Sequence, residues 1–247
     1  ALNAFAAPGG IIGVNTGLFL NAQSEAEFAS VMAHEIAHVS QRHFARGIDE
    51  AQAARIPGMA ALLASVIIMA TSDVSHGTAA VSAVQGRALE NQLRFSRSNE
   101  TEADRVGQDV MYRAGFDPDG MSTLFERLLA INRFGRQPPE FLLSHPLTES
   151  RVSGSRGRAG RYPQQQYNAS LEYQIVRARV VGHYAANKAD LVLEHERLFE
   201  YSTSEFTRDA NRYSLAIAYY ENQQFAQASA TLEPLLEKDP NRISYAV

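Results

Sequence analysis

The pattern of apolar and polar residues in the first part of the chain predicts a short β-strand followed by a helix. Residues 9–17 combine glycines with an apolar run, which is typical of a turn, a strand and a second turn. Ser24 precedes an apolar-periodic segment and Glu27 follows three residues later, so the two residues form a candidate capping box. We therefore expect a helix that begins near Glu25 and runs past His43.

The most apolar part of the chain is residues 57–70. As a helix this segment is about 21 Å long, whereas the hydrocarbon core of a bilayer is about 30 Å thick and requires roughly 20 residues. Residues 71–87 are small and polar and contain glycine, so they do not extend it, and we do not expect a transmembrane span. Two interpretations stay open: a buried core helix or amphipathic flap, and a contact with a membrane surface.

Periodicity predicts two more helices before residue 150. One covers residues 88–113 and ends at the following Ala-Gly pair. The next begins near Asp117 or Asp119, either of which could cap it. Residues 153–168 are rich in glycine, arginine and serine and lack helical periodicity, so we expect a linker or an exposed turn there.

From about residue 170 the pattern is purely helical, and part of it fits a tetratricopeptide repeat of 34 residues that starts at Asp209. Small and apolar residues then occupy the packing positions of that repeat: Leu215, Ala216, Tyr219, Phe225, Ala228, Leu232 and Pro240. Residues 172–204 predict a preceding helix pair with a looser match. Because one repeat cannot bury its own face, we expect further repeats beyond Val247 and interpret both ends of the chain as cut.

Taken together, these patterns predict a mainly α fold with a small β-sheet (α+β). Two domains are expected, one over residues 1–168 and a region of helical hairpins, similar to tetratricopeptide repeats, over residues 169–247.

The composition is that of a globular protein, with 247 residues of which 45% are hydrophobic and 20% charged. The net charge of −4 and the lack of a dense Lys/Arg run leave no basic face, so we do not expect nucleic acid as a partner. The chain has no cysteine, which excludes disulfides, a thiolate zinc site and a cysteine nucleophile. The pattern of a signal peptide is not present, which does not fix the compartment.

The segment His34-Glu35-Ile36-Ala37-His38 carries the strongest chemical signal. Two histidines four residues apart lie on one helical face, so both imidazoles can reach one cation. Glu35 lies about 100° around the helix from His34, where its carboxylate can hold a water instead of the metal. Zinc lowers the pKa of a bound water toward about 7, and a carboxylate beside it can accept the proton. The motif predicts one Zn²⁺ and Glu35 as general base.

Two histidines leave such a site one protein ligand short, and Glu100 is the best candidate for the third. Glu100 and Asp104 are four residues apart and share a helical face. Glu100 can therefore bind the metal while Asp104 accepts a hydrogen bond from the outer nitrogen of a ligating histidine. Glu102 lies about 200° away from Glu100 and is expected to form a surface or interhelix ion pair. The alternative for all three acids is a solvated helix face.

His43 is a possible rival for the third metal ligand. A pattern with three histidines of the metzincin type would need glycine at position 41 and histidine at 44, where this chain has Gln41 and Phe44. On a continuous helix His43 also lies about 180° from His34. We therefore expect His43 to be a structural or surface histidine.

These segments resemble the HtpX- and BepA-type zinc metallopeptidases, which are relatives of the CAAX prenyl proteases. The matching elements run in the family's order over residues 1–160: Asn3-Ala4-Phe5, Pro8-Gly9-Gly10, His34–His38, Asn99–Arg105, Ser144–Leu147 and Arg151. The resemblance implies a zincin-like metallopeptidase domain over residues 1–168. A helical-repeat appendage without transmembrane helices resembles the periplasmic BepA-like branch, which implies a periplasmic location and outer-membrane proteins or their assembly machinery as partners.

The resemblance also implies a role for His145, in the His-Pro segment, as a fourth metal ligand. A closed four-ligand zinc site is a resting site, whereas catalysis requires an open position. We therefore expect His145 to keep activity off until its loop moves; the alternative is an ordinary loop histidine stacked on Pro146. Arg151 is predicted either to stabilise the oxyanion or substrate carbonyl or, equally well, to pair with a helix acid.

The function expected from the sequence is that of a zinc-dependent endopeptidase for unfolded or misassembled proteins. Residues 10–16 could receive an extended substrate as an added β-strand. One alternative is a latent, metal-containing chaperone or scaffold that acts mainly through its repeats. Another is a structural repeat protein with a fortuitous motif and no bound zinc.

Overall fold

The computed structural model describes residues 2–7, 9–71, 74–134 and 139–245, and this part of the chain is mainly helical with one small β-sheet. The fold class expected from the sequence is confirmed. The strands are β1 (Ala4–Ala7) and β2 (Ile11–Val14). The helices of the described residues are α1 (Gly17–Asn21), α2 (Glu25–Ser40), α3 (His43–Thr71), α4 (Val74–Arg113), α5 (Asp119–Phe134), α6 (Glu140–Ser144), α7 (Glu149–Ala159), α8 (Leu171–Tyr184), α9 (Lys188–Glu200), α10 (Glu205–Glu221) and α11 (Phe225–Lys238), and a short 3₁₀ turn covers Ile243–Tyr245.

Strands β1 and β2 form an antiparallel hairpin in which Ala4 lies opposite Val14. Gly9 and Gly10 have φ angles of +93° and +80°, a left-handed conformation that glycine adopts without steric cost. Strand β1 packs on helix α2, which carries the histidine motif. The strand predicted within residues 9–17 is therefore confirmed, together with a partner strand before it.

Helix α2 begins where the sequence predicts and ends earlier. The hydroxyl of Ser24 accepts a hydrogen bond from the backbone N–H of Glu27 at 3.2 Å, and the Glu27 carboxylate accepts one from the backbone N–H of Gln23 at 2.6 Å. The helix ends at Ser40 because the chain turns at Arg42, whose φ of 57° is left-handed. The expectation of one continuous helix through this point was wrong.

Helices α3 and α4 pack against each other as a long antiparallel hairpin. Helix α3 extends over 29 residues, about twice the expected length, and its outer half is exposed, with Leu63 at 62% and Ile67 at 61%. The interpretation of residues 57–70 as a buried core helix was therefore wrong. Within the described chain, the segment His43–Met69 has the length and composition to cross a membrane, so the length argument against a span does not hold, although these properties alone do not place it in one.

Helices α5 and α7 complete the first part of the fold. The Asp117 carboxylate accepts a hydrogen bond from the backbone N–H of Asp119 and so stabilises the start of α5, as one of the two predicted caps. The expected linker over residues 153–168 is wrong in its first half, because α7 continues to Ala159 and fully buries Ser155. This helix packs against α4 and α5.

Apolar residues form separate cores in the first and last parts of the described chain. The first part contains two neighbouring clusters, with these members: Ala4, Leu18, Ala22, Val31, Leu124, Leu128, Phe141 and Leu142 in one, and Ala33, Met111, Met121 and Phe125 in the other. The last part is built around Ile175, Ala178, Tyr213, Ile217, Leu235 and Tyr245. Tyr173 joins the two parts, since its hydroxyl donates to the Ala22 carbonyl at 2.8 Å.

Helices α8 to α11 form the last part of the described chain, as the periodicity after residue 170 predicts, and α10 packs against α8, α9 and α11. Of the proposed repeat positions, Leu215 and Ala216 are buried, whereas Phe225 is 59% exposed. Assignment to the tetratricopeptide repeat, like the domain boundary at residues 168 and 169, stays a prediction.

Candidate metal centre

Helix α2 brings three polar side chains to its buried face. His34 and Glu35 are each only 1% exposed, and His38 lies one turn after His34. Helix α4 approaches closely because Gly107 has no side chain: a Cβ there would lie 3.2 Å from the backbone nitrogen of His34. This close packing of α4 on α2 brings the acids of α4 against the histidines.

The described residues His34, His38, Glu100 and His145 each direct one ligand atom to a common point. Nε2 of His34 lies 3.0 Å from Nε2 of His38, 3.3 Å from Nδ1 of His145 and 3.4 Å from Oε2 of Glu100. Nδ1 of His145 lies 3.1 Å from Oε1 of Glu100. All four ligand atoms lie within 4.8 Å of one another. A tetrahedron with ligand bonds of about 2.0–2.1 Å has edges of about 3.3 Å, and the separations quoted above are close to that value, as a tetrahedral cation such as zinc requires.

The electrostatics of the cluster also favour a cation. Burial lowers the pKa of His34, but its contacts with Asp104 and Glu100 outweigh burial and raise the pKa to about 9. Burial and the neighbouring His34 lower the pKa of His38 to about 3, which leaves an unprotonated nitrogen facing the cluster. Burial raises the pKa of Glu100, yet hydrogen bonds from His145 and His34 hold it far below its usual range. A positive charge is thus stabilised among these groups, and a metal ion can replace the proton.

Asp104 and Arg151 contact two residues of the cluster, His34 and Glu100. Oδ1 of Asp104 lies 3.1 Å from Nδ1 of His34, the contact that the sequence predicts for this acid. Arg151 donates two hydrogen bonds to Asp104, at 2.7 and 2.8 Å, and lies 3.0 Å from Glu100. These contacts correspond to the ion pair with a helix acid, one of the two roles predicted for Arg151.

His43 lies in a position that the sequence did not predict. Its Nδ1 lies 2.9 Å from Nδ1 of His38, and its Nε2 lies 3.1 Å from Oε2 of Glu102. The argument from a continuous helix was wrong, because the turn at Arg42 redirects the chain. Arginine does not signal a left-handed turn, so the sequence offered no means of finding this contact. Glu102 forms the interhelix ion pair that was expected, with Arg46 at 2.7 Å.

Glu35 faces His145 and an open cavity. Its Oε1 lies 3.3 Å from Nε2 of His145, so the imidazole separates the Glu35 carboxylate from the other ligand atoms. Burial raises the pKa of Glu35, against the opposing effect of His145. The cavity has a volume of about 530 Å³, and its lining includes Ala7 and Gly10 beside both residues.

Four converging ligand atoms with a buried carboxylate beside them define a metallohydrolase type of site. The model of peptidase family M48 matches residues 1–159, and the chain belongs to this family of metal-dependent peptidases. A Vibrio cholerae relative is 41% identical over 244 residues, which cover 99% of this chain and 50% of the relative. The beta-barrel assembly-enhancing protease of Escherichia coli K12 is 35% identical over 245 residues, with the same two coverages. The metalloprotease LoiP of Escherichia coli K12 is 32% identical over 157 residues, 64% of this chain and 58% of LoiP.

The chain spans about half the length of the first two relatives. The match to these relatives includes helices α8 to α11, whereas the family model ends at residue 159.

Proposed function

We propose that the chain is the catalytic portion of a zinc-dependent endopeptidase, with its peptidase domain over residues 1–168 and a repeat region over residues 169–247. The observation that supports this most strongly is the convergence of His34, His38 and Glu100 beside Glu35. In this proposal the first three residues hold the zinc ion and Glu35 is the general base.

The chemistry of the proposal assigns a task to each group. When bound, zinc supplies Lewis acidity toward a scissile carbonyl and lowers the pKa of a water in the site. Glu35 accepts the proton of the attacking water and returns it to the leaving amine, which suits a buried carboxylate with a raised pKa. Asp104 orients His34, and Arg151 holds Asp104 in place. Contact of Arg151 with the oxyanion or substrate carbonyl stays an untested prediction.

The test of the catalytic assignment is the variant Glu35→Gln, which keeps the size of the side chain and removes the base. We expect it to bind zinc like the wild type and to lose cleavage of an unfolded protein such as casein by at least about 100-fold. Glu90→Gln, on the exposed part of α4, is the matched control. Unchanged cleavage in Glu35→Gln would disprove the enzyme assignment. If the wild type binds unfolded protein without cleaving it, the latent chaperone becomes the better description.

His145 is proposed to close the site in its resting state. Its Nδ1 lies among the ligand atoms and its Nε2 lies 3.3 Å from Glu35, where the attacking water would have to lie. Arg151 donates to the carbonyl of Pro146 at 2.8 Å and so steadies the loop that carries His145. We expect His145→Ala to retain zinc and to cleave casein faster than the wild type, whereas the exposed control His183→Ala should retain zinc and cleave casein at the wild-type rate. Slower cleavage by His145→Ala with zinc retained would contradict the closed state.

The substrate is proposed to bind as an extended chain that pairs with the exposed backbone of the β-hairpin. Both strands have a free edge, since the described sheet contains only β1 and β2. Backbone pairing selects unfolded or extended segments over folded ones. We expect cleavage of casein to exceed cleavage of a folded protein of similar size, measured by the rate of peptide release; equal rates would contradict this selection.

The proposed setting is the bacterial envelope, in the periplasm, with quality control of outer-membrane protein assembly as the role. The support is the similarity over 99% of the chain to a beta-barrel assembly-enhancing protease. Partners of this kind are unassembled outer-membrane proteins or the machinery that assembles them. Fractionation of cells that produce the full-length protein tests the location, and its recovery in the cytoplasm would contradict the proposal.

The outer half of the α3–α4 hairpin is proposed to contact a membrane surface. Residues 56–86 contain one charged residue, Asp73. The most exposed apolar residues of this segment lie on one face of α3, within about 100° of one another around the helix: Ile56, Met59, Leu63, Val66 and Ile67. A helix with one exposed apolar face can lie along a membrane surface, with that face in contact with lipid.

Flotation with lipid vesicles tests this contact. We expect the wild type to float with vesicles of zwitterionic and anionic lipid, and Leu63→Asp/Ile67→Asp to remain at the bottom of the gradient. Leu193→Asp, at an equally exposed leucine of α9, is the matched control and should float like the wild type. Equal flotation of all three proteins would disprove the role of the hairpin.

A further inference from the structure

The outer nitrogen of His38 is held by a chain of side chains that begins with His43. Nε2 of His38 faces the ligand cluster, and its Nδ1 lies 2.9 Å from Nδ1 of His43. The two rings meet edge to face, with centroids 4.8 Å apart and planes at 82°. His43 is 6% exposed, so water competes little for this contact.

The second and third links of the chain lead to the adjacent helices. Nε2 of His43 lies 3.1 Å from Oε2 of Glu102 on α4. The same oxygen accepts a hydrogen bond from Arg46, one turn further along α3, at 2.7 Å. We call the four residues His38, His43, Glu102 and Arg46 the histidine relay.

One arrangement of protons satisfies every link of the histidine relay. A histidine that binds a metal through Nε2 carries its proton on Nδ1 and must donate it. His43 then accepts at its own Nδ1, which fixes its proton on Nε2, and this N–H donates to the Glu102 carboxylate. Because Arg46 cannot accept a proton, it serves only to hold Glu102 in place.

We propose that His43 and Glu102 are positioning residues that hold His38 in the orientation and tautomer required for zinc binding. Asp104 performs the same task for His34 by a direct contact. Each of the two histidine ligands of α2 is thus held by an acid of α4, His34 directly and His38 through His43. Neither His43 nor Glu102 has an atom among the four converging ligand atoms. This inference rests on the proposed zinc site.

The test is the zinc affinity of the purified chain, measured by competition with a chelating dye of known affinity. We expect His43→Leu and Glu102→Ala each to weaken zinc binding about 10- to 100-fold, the usual effect of losing such a partner. The double variant should be no weaker than the more affected single variant, because the two residues act in series. His43→Gln can still accept from His38 and donate to Glu102, so it should retain most of the affinity.

Two controls separate the histidine relay from general effects on folding and from the proposed function. Glu90→Gln, on the exposed part of the same helix, should bind zinc like the wild type, and circular dichroism reports whether each variant is folded. Glu102 is partly exposed, so Glu102→Gln is a milder variant if His43→Leu fails to fold. If the wild type binds zinc tightly and the variants match it within about twofold, the relay is disproved and the zinc site stands. If the wild type binds no zinc, both proposals fail.

Discussion

The first and last parts of the described chain are stabilised in opposite ways. Around the metal centre the interior contains ionisable groups: Glu35, Glu100, Asp104 and Arg151 are all at most 7% exposed. The core of helices α8 to α11 is apolar, and its ion pairs lie at the surface, as for Lys238 with Asp209. Buried charges are costly unless each has a partner, whereas apolar burial needs none. The peptidase part should therefore depend on its ion pairs and on the proposed metal, and helices α8 to α11 should depend on packing.

The largest expected effect is the loss of a buried charge partner. Arg151→Met removes the guanidinium that pairs with Asp104 and Glu100, and breaking a buried pair in this way costs about 3–5 kcal/mol. Urea unfolding measures the loss. Arg156→Met on the same helix removes an exposed pair with Glu126 and should cost less than about 1 kcal/mol. Similar losses for both variants would contradict the importance of the charged interior.

A cavity in the core of helices α8 to α11 should lower the free energy of unfolding without changing the zinc affinity. Leu235 is 1% exposed, so Leu235→Ala is expected to cost about 2–5 kcal/mol. The adjacent Leu236, which is 41% exposed, provides the matched control Leu236→Ala, with a smaller loss. The zinc affinity of both variants should equal that of the wild type. Weaker zinc binding in folded Leu235→Ala would show that the two parts are coupled.

Removal of the metal should weaken the peptidase part selectively. A zinc concentration of 100 times the dissociation constant stabilises the native state by about 2.7 kcal/mol, and a chelator removes this contribution. Hydrogen exchange followed by mass spectrometry should show faster exchange in α2 and α4 after chelation, and unchanged exchange in α10. Equal acceleration in all three helices would contradict a local effect.

The smallest expected effect is the loss of stability at low pH that His195 causes in helices α8 to α11. Burial lowers the pKa of this histidine, and its Nδ1 has no hydrogen-bond partner in the described part of the chain. Below the ordinary pKa of about 6.5 the unfolded chain binds a proton that the folded chain excludes, so stability falls as the pH falls through this value. His195→Gln should therefore lose less stability than the wild type between pH 7 and 5 in chelator-containing buffer. Identical pH profiles would disprove this contribution.

The sequence by itself determined the local elements and the chemistry of the centre. The start of α2 followed from Ser24 and Glu27, which meet within one turn. The shared face of His34 and His38, and that of Glu100 and Asp104, followed from helical geometry alone. These predictions needed only contacts between residues a few positions apart, which periodicity describes well.

Only the tertiary structure decided how these elements meet. The turn at Arg42 places His43 in contact with His38. The sequence does not signal this turn, because arginine seldom adopts the left-handed backbone conformation. The contact of His145 with His34 joins residues 111 positions apart, so neither spacing nor periodicity determines it. The exposure of α3 depends on which helices pack around it, and an apolar run is the same in a core as on a surface. Local periodicity therefore predicted that the two histidines of the motif share one helical face. Long-range packing determined the contacts of the histidine relay and the position of His145.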